Sequence, residues 1–350
     1  MAFVSKGKTA RMAVRAAGGV ALLLVLPGCG GSQGPDGAPA VSTPAVQYLP
    51  DGTPVTDERW TCSDDLRIVV AGQGREKAVL TAGGNDFKPS WSRTGTELTF
   101  FRALRYGPSF ADWKTRLCVI RADGTGFREL TSGDYADFNP TWTRDGTHQI
   151  VFNRYAVGGS DRNDVYLISP EGRIGDEVLV SDPRDRYEWA FSGLRDGRLF
   201  VDRVTWGSGA PVARSFLLTP SPGRVGVYEE IVRPTDRLWH KLSVSPRETK
   251  VAYMLDLDGD MSTYRDVVLY YGDFDASARV VSNPVAFTED DPNDISEYPR
   301  WSEDEALILY DSNRSGRYQL YAYRLADRMT VRLSDGRSNV QFGNFEGVPK

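Results

Sequence analysis

Few side chains in this sequence are suited to acid–base or metal chemistry. There are two histidines and three cysteines in 350 residues, too few for a His- or Cys-rich metal centre. His240, in Leu238-Trp239-His240-Lys241, is the candidate general base or ligand-binding residue. His148 follows the turn Gly146-Thr147 and reads as exposed. Asp256, Asp258 and Asp260 alternate, with Asp266 beyond. Three carboxylates at this spacing open a calcium loop only when glycine follows at 261 and an acid at 267; Met261 and Val267 stand there instead. The segment therefore reads as a solvated hairpin tip and only a weak metal candidate, with calcium the one cofactor to consider. Glu289-Asp290-Asp291 with Asn293 and Asp294 reads as an acidic loop. Gly-x-Ser-x-Gly occurs only as Gly30-Gly31-Ser32-Gln33-Gly34, in a Gly-rich stretch with no strand-to-helix pattern around it, and no phosphate-binding P-loop or His-Glu-x-x-His helix occurs. No catalytic residue is assigned.

The chain opens with Lys6, Lys8, Arg11 and Arg15, then an uncharged, mostly apolar run from Ala16 to Leu26. That run is shorter than the ~20 residues needed to span a bilayer and has the length of a signal-peptide h-region. Leu26-Pro27-Gly28-Cys29 resembles the bacterial lipobox, which makes Cys29 the expected lipidation site and residues 1–28 a lipoprotein signal peptide. Residues 29–44, rich in Gly, Pro and Ser, read as a flexible tether. The expected address is outside the cytoplasm, at the outer face of a bacterial membrane or cell envelope, held there by lipid. In such a compartment the remaining pair, Cys62 and Cys118, is expected to form a disulfide. Net charge is −5, and the basic leader leaves about −9 for the rest, which argues against a nucleic-acid partner.

Residues 45–350 are organised by a repeat. Asp86-Phe87-Lys88-Pro89-Ser90-Trp91 leads into Glu97-Leu98-Thr99-Phe100-Phe101, and Asp137-Phe138-Asn139-Pro140-Thr141-Trp142 into Gln149-Ile150-Val151-Phe152. A third copy, Tyr298-Pro299-Arg300-Trp301, precedes Ala306-Leu307-Ile308-Leu309-Tyr310. Two degenerate copies place Phe191 and Val244 where the others have Trp, giving spacings of 51, 49, 53 and 57 residues. A second half recurs as Arg67–Val70 leading to Leu80-Thr81-Ala82-Gly83, and Leu117–Ile120 leading to Leu130-Thr131-Ser132-Gly133. Each unit reads as four short strands separated by turns, many marked by Asp-Gly. Such a unit buries both faces of its sheet only when copies stack around a ring. Trp91, Trp142 and Trp301 then wedge each blade against its neighbour. Either the Tyr48 and Pro50-Asp51-Gly52 segment or the tail Val340–Phe345 is expected to complete the first blade and close the ring.

Pro-x-Trp-Ser-x-Asp-Gly, an apolar strand ending in an aromatic, and Asp311-Ser312-Asn313-Arg314-Ser315-Gly316 resemble the TolB-type propeller repeat over residues 64–336. The resemblance implies an all-β, six-bladed propeller of four-stranded blades, here without the additional α/β domain that TolB carries. Propellers often bind at the channel mouth. The residues three before each wedge position, Lys88, Asn139, Glu188, Lys241 and Tyr298, are therefore ligand candidates together with His240. Those five before it begin Asp86 and Asp137, whose repetition points to structure. The expected role is a monomeric binding or scaffold module for an envelope protein, peptide or glycan. The alternative is a propeller enzyme, a polysaccharide lyase or quinoprotein sugar dehydrogenase, built on His240.

Overall fold

The computed structural model describes residues 60–64, 67–72, 75–81, 85–106, 112–155, 163–182, 188–205, 212–221, 224–258, 266–291, 294–334 and 338–345. Cys29, the tether and the Tyr48–Gly52 segment lie outside them. Every named element is a β-strand, and the strands form six four-stranded antiparallel sheets. The innermost strands of blades two to six are Asp86–Trp91, Ala136–Trp142, Glu188–Gly193, Trp239–Val244 and Ser296–Trp301. Blade one takes its innermost strand from the other end of the sequence. Val340–Phe345 pairs antiparallel with Trp60–Asp64, followed outward by Arg67–Gly72 and Arg75–Val79. Each inner strand packs against the next, and the C-terminal one touches those of blades two and six, so the ring is closed. Closure leaves no inner sheet edge open to another chain.

The recurrent residues have physical assignments. Trp91, Trp142 and Trp301 are buried. The Trp142 indole N–H donates to the Ser90 carbonyl of blade two at 3.0 Å, and that of Trp301 to the Ser243 carbonyl of blade five at 2.9 Å. A wedge of this kind fills the space between blades and also satisfies the polar atom it buries. The recurrent Thr or Ser after the outer strand does a second job. The hydroxyls of Thr81, Thr131, Ser181, Thr288 and Ser334 accept the backbone N–H of Ile68, Leu117, Val165, Leu269 and Leu320 on the neighbouring strand. Asp86 and Asp137 are buried in fork-shaped ion pairs with Arg102 and Arg154, which stand directly across the ladder. Their repetition thus has a structural cause.

Two expectations need correction. The first is the register of blade four. The Leu194 N–H closes its turn onto Arg198 just as Ser92 and Thr143 do onto Glu97 and Gln149. The wedge position is therefore Gly193, two residues beyond Phe191. With no side chain at Gly193, the turn of blade three comes close; a Cβ there would lie 3.5 Å from the Arg144 amide nitrogen. The indole between blades four and five comes instead from Trp239, whose N–H donates to Ser215 Oγ at 2.6 Å. The second correction concerns the disulfide. No bridge joins Cys62 to Cys118. Cys62 packs with Leu307, Leu309 and Leu320 of blade six, whereas Cys118 packs with Ile68 and Trp91. The sheet of blade one lies between the two thiols, so an even cysteine count did not imply proximity.

Trp142→Ala is expected to cost about 3–5 kcal/mol, read as a lower urea midpoint; an unchanged midpoint would contradict the wedge role. Thermal unfolding should be the same with and without a thiol reductant, and a reductant-dependent loss of stability would restore the disulfide.

Candidate functional site

Five of the six inner strands carry the same irregularity. In blades one, two, three, five and six, strand pairing slips between the fourth residue and the first before the wedge position. The first residue of each bulge is left-handed: Lys88, Asn139, Lys241, Tyr298 and Phe342 have φ between 52° and 60°. Non-glycine residues seldom adopt this conformation. Its recurrence at one repeat position marks it as a property of the blade, of the kind that re-aims a side chain. All five side chains meet around the ring axis. The Lys88 ammonium donates to Asn139 Oδ1 and lies 4.0 Å from the centroid of the Tyr298 ring. The Lys241 ammonium approaches the same ring to 4.4 Å, and Tyr298 stands edge-on to Phe342 at 5.0 Å. The ring of Tyr298 thus carries two ammonium contacts, each worth roughly 0.5–2 kcal/mol when the amine is protonated.

Below this layer lies a cavity of about 30 Å³ lined by Lys88, Ser90, Asn139, Thr141, Ala190, Arg300 and Asn344, among others. A water needs ~10–15 Å³, so the space takes about two small polar atoms. Its charges are unevenly matched. Lys241 pairs with Glu297 at 2.8 Å. Asp311 accepts the backbone N–H of Phe342 and, more weakly, of Gly343; burial, helped by nearby Glu297, pushes its carboxyl up to about 7. Burial also lowers the proton affinity of Lys88, with Lys241 and Arg300 adding to the effect. Among the described residues the guanidinium of Arg300 donates to the adjacent Pro299 carbonyl, and the Asp311 carboxylate is the opposing charge that acts on it most strongly. Above the cavity, Arg144 reaches from the blade-three turn past blade four and donates to the carbonyls of Ser245 and Pro246 in blade five, at 3.2 and 3.0 Å. The close approach permitted by Gly193 makes this crossing geometrically short.

The structure therefore brings together four of the five bulge-position candidates, Lys88, Asn139, Lys241 and Tyr298. Glu188 is not the fifth, because the corrected register puts Ala190 at that position in the cavity wall; the Glu188 side chain lies outside the described set. Phe342 and Arg300 were missed. Both were legible in principle, Phe342 as the third residue before Phe345 in the tail repeat, and Arg300 as the residue before Trp301. His240 is buried in the inner strand of blade five and does not line the cavity. Burial, then the charges of Lys241 and Arg233, push its imidazole down to about 3, a poor proton acceptor for chemistry near neutrality. Asp256 is buried at the end of a strand, Asp258 follows it, and Asp260 lies outside the described residues. The described residues do contain one unforeseen trio of metal-ligand types, Glu97, His148 and Glu171. It lies away from the channel, and Arg128 already holds Glu97 Oε1 at 3.1 Å.

Asp311 supplies a pH test. Its folded pKa of about 7 exceeds the ordinary 3.8, so the folded protein keeps a proton that the unfolded chain releases. The associated stability is complete below about pH 4 and disappears as pH rises through about 7. Asp311→Asn should therefore gain stability relative to the parent between about pH 5 and pH 8 in urea titrations, and a constant difference would refute the assignment.

No family model matches the sequence, and no curated protein matches it. Solved structures do match. TolB from Acinetobacter baumannii superposes with a TM-score of 0.61 at 12% identity, covering 83% of this chain and 67% of that one. Hydrazine synthase of Kuenenia stuttgartiensis gives 0.62 at 14% identity, over 84% of this chain and only 47% of its own. A chain of a nidogen/laminin complex gives 0.55 at 8% identity, covering 83% and 99%. At these identities the likeness is one of fold, and one fold hosts many functions. By its six closed blades and these superpositions, the chain is a TolB-like six-bladed β-propeller.

Proposed function

We propose that this protein is an exported, lipid-anchored propeller that binds an envelope protein, peptide or glycan at its channel mouth. The observation that carries the reading is the convergence of Lys88, Asn139, Tyr298 and Phe342 from four blades onto one polar cavity, at a position where each strand departs from regular pairing. Basic leader, short apolar run and Cys29 support export and lipidation. Binding at a rigid concave mouth needs only shape and a few aimed polar groups. The lyase alternative draws on the fold shared with an oligogalacturonate lyase solved in complex with manganese, at a TM-score of 0.50 and 13% identity. It would rest proton transfer on His240, whose proton affinity is depressed and which does not line the cavity.

Two measurements test the proposal. Cys29→Ala should accumulate as unprocessed precursor without incorporated fatty acid; normal processing and membrane retention would remove the anchor. The full chain should capture a defined partner from envelope extracts, and replacing Lys88 and Asn139 together should weaken capture at least tenfold at a temperature where the variant is still fully folded. Turnover of a polyuronate or sugar that His240→Ala abolishes would replace binding with catalysis.

A further inference from the structure

The channel groups three basic side chains, Lys88, Lys241 and Arg300, with two carboxylates, Glu297 and Asp311. Glu297 is engaged by Lys241, and Asp311 by two backbone amides. Among the described residues, no carboxylate lies within ion-pair distance of Lys88 or Arg300, although both face the cavity. Buried charge is costly unless paired, and Lys88 is held at a lowered proton affinity by burial and by its neighbours Lys241 and Arg300, so an anion entering the cavity would pair with Arg300 and favour the protonated form of Lys88. The approach mixes both signs, with Glu248 and Glu303 as well as Arg195 and Arg93 close to Arg144. Arg144 crosses the mouth using its guanidinium on backbone carbonyls, and Arg93 donates to the Arg144 carbonyl from the rim. Neither has a carboxylate within ion-pair distance among the described residues.

We propose that this cavity is a carboxylate-binding site, in which Arg300 and Lys88 supply the charge and Asn139, its carbonyl already taken by Lys88, supplies a neutral donor. The proposal rests on the binding-module reading and gives its ligand a chemistry: a free carboxylate from a peptide end, an acidic side chain or a small organic acid. Size selects this anion. About 30 Å³ matches the two oxygens of a carboxylate, whereas a phosphate brings four. Shape agrees, because a planar guanidinium meets a carboxylate edge with paired donors, and Ser90 and Thr141 add hydroxyl-bearing side chains to the wall. The Tyr298 ring and the Asn139 carbonyl hold the Lys88 amine beside the cavity that Lys88 lines.

The test uses the full chain and follows thermal melting at matched ionic strength in sodium chloride. The probes are acetate, tri-alanine with a free C-terminus, N-acetyl-aspartate amide, tri-alanine amide and inorganic phosphate. Near-saturating acetate should raise the melting temperature by about 2–4 °C over chloride. Whichever of the free-acid peptide and the acidic side-chain mimic does likewise identifies the source, and the amide should do nothing. Lys88→Met and Arg300→Gln should each weaken the response at least tenfold. Lys88→Met keeps the side-chain volume nearly constant but gives up the contacts to Asn139 and Tyr298, so the response of each variant is read as a shift from its own melting temperature in chloride, and Lys88→Met decides the matter even if Arg300→Gln folds poorly. No rise with any carboxylate, an equal rise with the amide or phosphate, or a rise that survives in both variants would overturn the site. Capture of an envelope partner without a carboxylate response would sink this site alone; a carboxylate response without capture would sink the envelope role alone.

Discussion

The pairing of Val340–Phe345 with Trp60–Asp64 is the contact on which the molecule depends, because it turns a row of sheets into a ring. A single blade buries only part of its apolar surface, and the first and last of an open row would each expose a face and an edge. Once the ring is shut, every blade has two neighbours, and the indoles of Trp142 and Trp301 find acceptors on the preceding blade. Closure also fixes the circumference. The inner strands must then pass close to one axis, and space there is short.

The left-handed bulges are how the inner strands use that shortage. A regular strand would alternate its side chains between the two blade interfaces. The bulge turns one residue in each of five strands out of that alternation, at the cost of a conformation that non-glycine residues avoid. The core of the ring is thus filled partly by aromatic rings, Tyr298 and Phe342, and partly by ammonium groups resting on them. Low solvent access then amplifies each charge there, which lifts Asp311 and lowers Lys88 and Lys241.

The repeat was legible from sequence because its markers are large and local. A Trp two residues after Pro, followed by a turn and an apolar strand, leaves little freedom in blades two, three and six. Blade four was misread because its marker is a glycine. Phe191 offered an aromatic near the expected place, and only the turn hydrogen bond from Leu194 to Arg198 shows that the position is Gly193. The bulge residues could be chosen by counting back from each Trp, but their convergence could not, since alternation alone would have sent them between the blades. Charge balance was equally hidden. Lys241 and Glu297 lie 56 positions apart, and nothing in either neighbourhood announces the pair. The disulfide expectation failed for a related reason: compartment and parity constrain chemistry, whereas the sheet of blade one decides distance.

One wall of the cavity, Phe342, Gly343 and Asn344, belongs to the strand that shuts the ring. The opposite wall comes from Lys88 and Asn139, some 200 to 250 positions earlier in the sequence. A chain that has assembled five blades but not yet docked its terminal strand owns the cations and lacks the enclosure that concentrates their field. Occupancy of the cavity therefore reports completion of the fold, and any occupant acts as a clasp: by binding the closed ring and not the open one, it draws the terminal strand home by mass action.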